Sequence, residues 1–355
     1  TGSHRRMIVP GLAGRGGVAP PRALLAVAAI ACALVLGACG SKRDVITAPA
    51  AKPLTVMLDW FPNADHAALY SAIAHGDFRA AGLDVRPQAP ADPGEPLKAL
   101  AAGRVDMAIS YEPELLLARD AGLRLVAIAA LVQRPLSSII ALPGRHIGSV
   151  AALAGRRVGT AGLPYQAAEL RAALTHAGVD PAKVREVNVG TELVGAMLHG
   201  RVDATLGGFW NYEAIQLRLA HRTPTVIPVD RAGIPAYDEL VLVVREQEAH
   251  TAGQDLRAFL QALSRGEREV RADPAAAASL LSAANPSLPA ALQLESIRQT
   301  LPAAVPAGSG YPFGWQEARA WAAFGSWMFS ERLLTRDPGG RLPPFTNEFL
   351  PGQGI

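Results

Sequence analysis

Hydrophobic and polar positions along this chain follow two different periods, and the places where the period changes divide it into parts. Residues 23–37 are an uninterrupted apolar run, slightly short of the roughly 20 residues that a permanent membrane span needs. Residues 41–52 are polar, contain Ala and Pro and have no periodicity, which predicts a flexible tether. Short apolar strands are then expected at 54–58 and 105–109, with another entered from the turn Gly82-Leu83-Asp84-Val85. Helices are expected at 67–75 and 96–102, the latter stopped by Gly103. Strands alternating with helices at this rhythm predict βαβ units and a parallel sheet, hence an α/β fold.

One unit is echoed. Residues 97–106 (LKALAAGRVD) return in pattern at 194–203 (VGAMLHGRVD), each an amphipathic helix, a glycine stop and the start of a short strand. A single echo at that separation points to two lobes of the same design and excludes a short-period solenoid. The second lobe is expected to open near 153–159, and Asp180-Pro181 marks a helix start with Asp as cap and Pro in the first turn. The apolar run 239–244 reads as a central strand returning to the first lobe. Hinge crossings are therefore expected near 143–149 and 230–237. Residues 255–334 read as mostly helical, broken at Asp273-Pro274 and Asn285-Pro286, with Trp315, Trp321, Phe324, Trp327 and Phe329 at helix-like core spacing. The expected organisation is a signal at 1–38, a tether at 39–53, the first part of lobe one at 54–145, lobe two at 146–236, and a return to lobe one with C-terminal helices at 237–355.

Charge and cysteine usage change the reading of the N-terminal end. Arg5, Arg6, Arg15 and Arg22 precede or border the apolar run with no acidic residue, and Leu36-Gly37-Ala38-Cys39 closes it with small residues before a cysteine. That order is the pattern of an export signal cleaved before a lipid-bearing cysteine, so Cys39 is the expected lipidation site. The mature chain would be anchored to the membrane on the extracytoplasmic, or periplasmic, side. Removing the four signal arginines from 34 basic residues leaves 30 against 31 acidic ones. The positive balance thus belongs to the targeting segment and does not argue for nucleic acid. Of the two cysteines, Cys32 would be removed and Cys39 would carry lipid, so the mature chain has no disulfide and no thiolate metal site.

In open α/β sheets, ligands bind beyond the carboxyl ends of strands. Three such ends carry unusual residues: Asp59-Trp60-Phe61-Pro62-Asn63-Ala64-Asp65-His66, Ser110-Tyr111-Glu112-Pro113-Glu114, and Gly207-Gly208-Phe209-Trp210-Asn211-Tyr212-Glu213. Each pairs a flat aromatic with a carboxylate or amide. Aromatic faces supply apolar area and stacking, and a carboxylate can take two parallel charge-assisted bonds from an aminopyrimidine edge. An anion site would instead favour Arg, Ser/Thr and free helix N-termini. The structural alternatives are a core role for Trp60, a cap or loop role for Asp59 and His66, and a helix cap for Glu213. Tyr165 is a further candidate for stacking.

The motif Leu58–His66, with Leu69-Tyr70 and Gly82–Val85, resembles the thiamine-precursor-binding branch of periplasmic substrate-binding proteins, the formylaminopyrimidine-binding lipoproteins related to alkanesulfonate-binding proteins. The resemblance continues through Val158-Gly159, Asn188-Val189-Gly190, Gly200–Ala204, Gly208–Glu213, Trp315-Gln316, Trp327-Met328 and Phe345-Thr346-Asn347. It implies a two-lobed, type II Venus-flytrap protein, monomeric and without cofactor, that gives an aminopyrimidine to the permease of an ABC importer. By motif, it carries the cleft role onto Asp59, Trp60, Asn63, His66, Tyr111, Glu112, Trp210, Tyr212 and Glu213. The lobe-two opening at 160–165 matches the family's Gly-x-Pro-Gly pattern only loosely, and Thr191-Glu192 stands where an apolar pair is common. A flavin or an alkanesulfonate- or nitrate-type anion is the alternative ligand.

The resemblance also offers an enzyme alternative, since eukaryotic relatives make the thiamine pyrimidine with a Schiff-base lysine, a histidine and a cysteine-rich iron loop. This chain has only Lys42, Lys52, Lys98 and Lys183, no cysteine after position 39, and Ser110 where that lysine is expected. Its histidines form no i,i+4 pair or Cys/His cluster of the zinc type. An enzyme is therefore disfavoured.

Overall fold

The computed structural model describes residues 50–304, 310–338 and 343–353. The expected signal, Cys39 and the tether up to Pro49 lie outside the described residues. Among those described, no helix is long and apolar enough to cross a membrane.

Two five-stranded sheets organise the chain. The strands are β1 (Lys52–Met57), β2 (Leu83–Gln88), β3 (Met107–Ser110), β4 (Leu125–Val132), β5 (Ser137–Ala141), β6 (Arg157–Thr160), β7 (Arg185–Asn188), β8 (Ala204–Phe209), β9 (Thr225–Pro228) and β10 (Leu240–Arg245). The first sheet has the order β2-β1-β3-β10-β4 and the second β7-β6-β8-β5-β9. Helices cover them, giving the α/β class that the alternation predicts, in two lobes as the echo predicts. The sheets are mixed and not wholly parallel. In each, the antiparallel strand is the one that has just arrived from the other lobe: β5 lies antiparallel between β8 and β9, and β10 between β3 and β4. These strands enter without a crossover helix, which parallel pairing within one sheet would require.

That topology moves one hinge. β4 ends at Val132 and β5 begins at Ser137 in the other sheet, so the first crossing is at 133–136, upstream of the expected 143–149. The expected span instead holds short 3-10 turns, Pro143–Arg145 and Val150–Leu153, on the second-lobe side. Apolar runs at 125–132 and 137–141 look alike in sequence, and only Pro135 between them hints at the break. The second crossing, between β9 and β10, includes the expected 230–237.

The echoed units occupy equivalent places, since β3 pairs with β1 as β8 pairs with β6, both parallel. Their terminal aspartates do the same work. The Asp106 N–H donates to the Thr55 carbonyl at 3.1 Å while its Oδ2 accepts the Thr55 N–H at 2.7 Å. The Asp203 N–H donates to the Arg157 carbonyl at 2.8 Å and its Oδ2 accepts the Arg157 N–H at 2.9 Å. Each Asp thereby staples its strand to the first strand of its lobe. Hydrogen bonds from the Arg157 guanidinium hold the Asp203 carboxyl below its ordinary range, with Arg145 adding a second ion pair at 3.1 Å. Asp203→Ala is expected to lower stability by about 1–3 kcal/mol, because it strands a backbone N–H and two cations; thermal unfolding measures the change.

β4 lies at an edge of its sheet yet all of its residues are buried. C-terminal segments cover it: the Ala127 N–H donates to Pro344 at 2.9 Å, Thr346 donates to Ala127 at 2.8 Å, and Ala130 donates to Gly314 at 2.8 Å. This protects an apolar edge that would otherwise pair with another chain. Of the five aromatics expected at core spacing, Trp321 and Phe324 are core residues of the helix Ala318–Ser330 and Trp327 packs half-buried against them, whereas Phe329 faces outward at 41% exposure and Trp315 precedes the helix. The Trp321 N–H reaches Asp238 Oδ2 at 2.8 Å.

Candidate functional site

The loop after β1 folds on itself. Asn63 caps the turn that follows, accepting the Asp65 N–H at 2.8 Å, while His66 Nδ1 accepts the Asn63 N–H at 3.2 Å. That bond leaves Nε2 as the donating nitrogen of a neutral ring, and it meets Asp59 Oδ1 at 2.8 Å. The Tyr111 hydroxyl donates to the other oxygen, Oδ2, at 2.8 Å. Asp59, only 1% exposed, is therefore held from both sides before any ligand arrives. Burial, and then the Asp59 charge, push the Tyr111 hydroxyl well above its ordinary range and keep it a donor.

A cleft of about 440 Å³ opens over this loop, between the carboxyl ends of the two sheets. Its first-lobe wall carries Asp59, Trp60, Asn63 and Tyr111; its second-lobe wall carries Leu163, Tyr165, Gln166, Phe209, Tyr212 and Glu213. Glu213 begins the helix Glu213–Leu219, and its Oε2 accepts the Phe209 N–H at 2.7 Å. The carboxylate thus bonds the strand end, and the helix N-terminus has no side-chain cap, so Glu213 lines the cleft without capping its helix. Burial raises the Glu213 carboxyl to about 7, against the lowering effect of the Phe209 N–H.

The lobes touch around the rim of the cleft. Phe61 meets Tyr212 edge-on at 5.9 Å, and Tyr111 lies 6.2 Å from Tyr165. Asn211 donates to Asp65 Oδ1 at 2.6 Å, and Thr300 donates to the same oxygen at 3.0 Å. Burial raises the Asp65 carboxyl to about 6, against the lowering effect of the Thr300 and Asn211 hydrogen bonds.

Asp59, Trp60, Asn63, Tyr111, Tyr165, Tyr212 and Glu213 meet in the cleft, whereas three other expected residues do not line it. His66, 1% exposed, bonds Asp59 from outside the cleft lining. Glu112, 0% exposed, turns inward because its Oε2 accepts the Asp238 N–H at 2.7 Å; burial and then the Asp238 charge push its carboxyl well up. Trp210 turns to the first crossing, its indole N–H donating to Pro135 at 2.9 Å and its backbone N–H to Leu136 at 3.0 Å. Sequence reasoning passed over Gln166 and Phe209. Phe209 stood inside a motif already singled out, while Gln166 follows Tyr165 directly with no spacing signal of its own.

Beneath the cleft, the crossings meet on a second set of acids. Glu239 Oε2 accepts the N–H groups of Leu136 at 2.7 Å and Ser137 at 2.9 Å, tying the two crossings together. Glu169 lies against it, and burial followed by the Glu239 charge pushes its carboxyl well up. Burial raises Glu239 to about 8, opposed by the Ser137 and Leu136 N–H groups.

The sequence profile described as NMT1/THI5 like matches residues 63–277. The formylaminopyrimidine-binding protein of Halalkalibacterium halodurans is 34% identical over 282 residues, 79% of this chain and 85% of that one. The chain belongs to the NMT1/THI5-like family. A second relative, a putative thiamine biosynthesis protein of Haemophilus influenzae, is 34% identical over 225 residues, 63% of this NMT1/THI5-like chain and 71% of its own. The fold is that of the periplasmic binding proteins. The alkanesulfonate-binding protein SsuA from Xanthomonas axonopodis pv. citri, solved with MOPS bound, superposes with a TM-score of 0.64 at 16% identity, covering 81% of this family member and 96% of that structure.

Proposed function

We propose that this protein is a substrate-binding lipoprotein of an ABC importer, anchored outside the cytoplasmic membrane through Cys39, which captures an aminopyrimidine precursor of thiamine between its lobes. One observation carries the reading: the cleft walls combine Asp59 and Glu213 with Trp60, Tyr111, Tyr165, Phe209 and Tyr212, and no Arg or Lys lines them. Acids opposite aromatic faces suit a flat, amine-bearing ring. They repel a sulfonate or nitrate, which needs cationic or N–H donors. The 34% identity to a formylaminopyrimidine-binding protein supports the same ligand class. The lining holds no lysine or cysteine, and Ser110 at the end of β3 donates to Glu114 at 3.0 Å. The residues present thus do not fit a Schiff-base chemistry, and the activity is capture.

Function then lies in a population shift. A ligand touching both walls has its full contacts only when the lobes are closed, so binding stabilises the closed form that a permease reads. Stacking and charge-assisted bonds in such a cleft suit sub-micromolar affinity, about −8 to −10 kcal/mol.

Two measurements test the reading. Soluble protein lacking its lipid anchor, purified and gently denatured, is expected to release an aminopyrimidine identifiable by mass spectrometry; release of a sulfonate or flavin in its place rejects the ligand class. Glu213→Gln is expected to weaken calorimetric binding of formylaminopyrimidine by about 1.5–3 kcal/mol through loss of a charged acceptor. Unchanged affinity removes Glu213 from the site.

A further inference from the structure

Several hydrogen-bonding groups of the cleft are already engaged within the protein. Asp59 is occupied by His66 and Tyr111, and the Tyr111 hydroxyl is spent on that bond. The Asn63 amide nitrogen donates to the Phe61 carbonyl at 3.2 Å. The Tyr212 hydroxyl accepts from Gln293 at 3.2 Å. Gln166 differs. Its Oε1 accepts the N–H groups of Ala161 at 2.9 Å and Leu163 at 3.4 Å. Two backbone donors on one atom fix which end of the amide is oxygen, so the NH₂ must occupy the opposite position. There it lies beside Gly207, itself part of the cleft wall, and the side-chain hydrogen bonds of Gln166 among the described residues all fall on its oxygen. Gly207 is at φ +94°, and a Cβ there would collide with Gln166 Nε2. The strand end is thus shaped to leave room for this amide, although Gln166 is only 2% exposed.

We infer that Gln166 is a specificity-determining residue, a fixed N–H donor that requires a ring-nitrogen acceptor on the ligand. The inference rests on the aminopyrimidine reading and deepens it. Glu213 takes the amine, and Gln166 takes a lone pair of the ring that carbon at the same position lacks. A ring without that nitrogen leaves the Gln166 N–H groups buried without a partner, a penalty the protein imposes on near-isosteric competitors. The discrimination comes from the empty donor more than from any added attraction.

The test pairs one substitution with matched ligands. Gln166→Glu keeps an oxygen for the Ala161 and Leu163 N–H groups but replaces the donor with an acceptor. Calorimetry would compare 4-amino-5-hydroxymethyl-2-methylpyrimidine with its two pyridine analogues, each lacking one ring nitrogen. The unmodified protein is expected to bind one analogue roughly 10- to 100-fold more weakly than the pyrimidine. In Gln166→Glu the pyrimidine should lose a similar factor and that preference should collapse. A preference that survives the substitution overturns the role of Gln166 while leaving the functional reading intact. Failure of the unmodified protein to bind any of the three overturns both. A measurement without substitution guards against a folding defect: in ¹⁵N-labelled protein, the Gln166 side-chain amide resonances should shift downfield on adding the pyrimidine. No shift on saturation also overturns the role.

Discussion

Glu239→Gln is expected to be more stable than the parent protein at pH 8 by about 2–4 kcal/mol, and close to it near pH 4.5. The sign follows from proton uptake. An unfolded glutamate titrates near 4.3, whereas the folded Glu239 carboxyl is raised to about 8 by burial. Between those values the native state holds a proton that the unfolded state has released. Stability contributed by this group is therefore complete below about pH 4.3, falls as pH rises to about 8, and is flat above. A glutamine oxygen accepts the Leu136 and Ser137 N–H groups equally well, so the tie between the crossings survives while the titration disappears. The groups facing Glu239 are Glu169, Asp59, Asp65, Tyr165 and Tyr237, none of them cationic. Removing one carboxylate also relieves the Coulomb contribution to the raised Glu169 carboxyl. Urea unfolding of both proteins from pH 4.5 to 8.5 measures the effect, and parallel curves would mean that Glu239 is not protonated in the native state. Asp65, Glu114, Glu213 and Asp238 are raised as well, so the parent itself should lose stability across this range. Only the difference between the two proteins isolates Glu239.

Glu239 also marks the limit of what the chain made readable. Its residue run, 239–244, reads as a central strand, and β10 is that strand. Nothing in the pattern says that a glutamate at its start reaches across to the other crossing. The α/β class, the paired lobes and the cleft motifs were readable because they rest on local periodicity and on residues gathered at strand ends. The echo was more informative than its pattern alone, since Asp106 and Asp203 turned out to be matching staples. Sheet membership of Ser137–Ala141 was not readable, because a buried strand looks the same in either sheet. Glu112 and Trp210 misled for a related reason. Each lies at a strand end beside true cleft residues, but the direction of a side chain there depends on partners more than 70 residues away, Asp238 and Pro135. Gln166 escaped notice because its value comes from which end of an amide faces the cleft, a property set by the Ala161 and Leu163 N–H groups.

Gly266→Ala is expected to cost about 3 kcal/mol and to weaken ligand binding, although alanine is the better helix former. Gly266 lies inside the helix Gly253–Ala272, buried against the helix Ala67–Ala74. A Cβ at this position would run into the Ala68 carbonyl oxygen and stand 2.8 Å from both the Ala72 Cβ and its N atom. Two of those atoms are backbone, so no rotamer change relieves the contact and the helices must separate. Overpacking of this kind costs about 1–3 kcal/mol or more, whereas the gain in helix propensity returns only about 1 kcal/mol. Function is coupled to the contact because Ala67–Ala74 directly follows the turn that carries Asn63 and His66. Displacing that helix moves Asn63 and His66, the two residues that fix the loop and Asp59. Gly148→Ala is the control: nothing lies within 4 Å of its Cβ position, and a change within about 0.5 kcal/mol is expected. Denaturant unfolding and calorimetry on both variants read the two effects. The comparison Gly266→Ala with Ala72→Gly added separates the causes: full rescue would place the collision on the Ala72 methyl, whereas persistence of the loss places it on the backbone of the binding-loop helix.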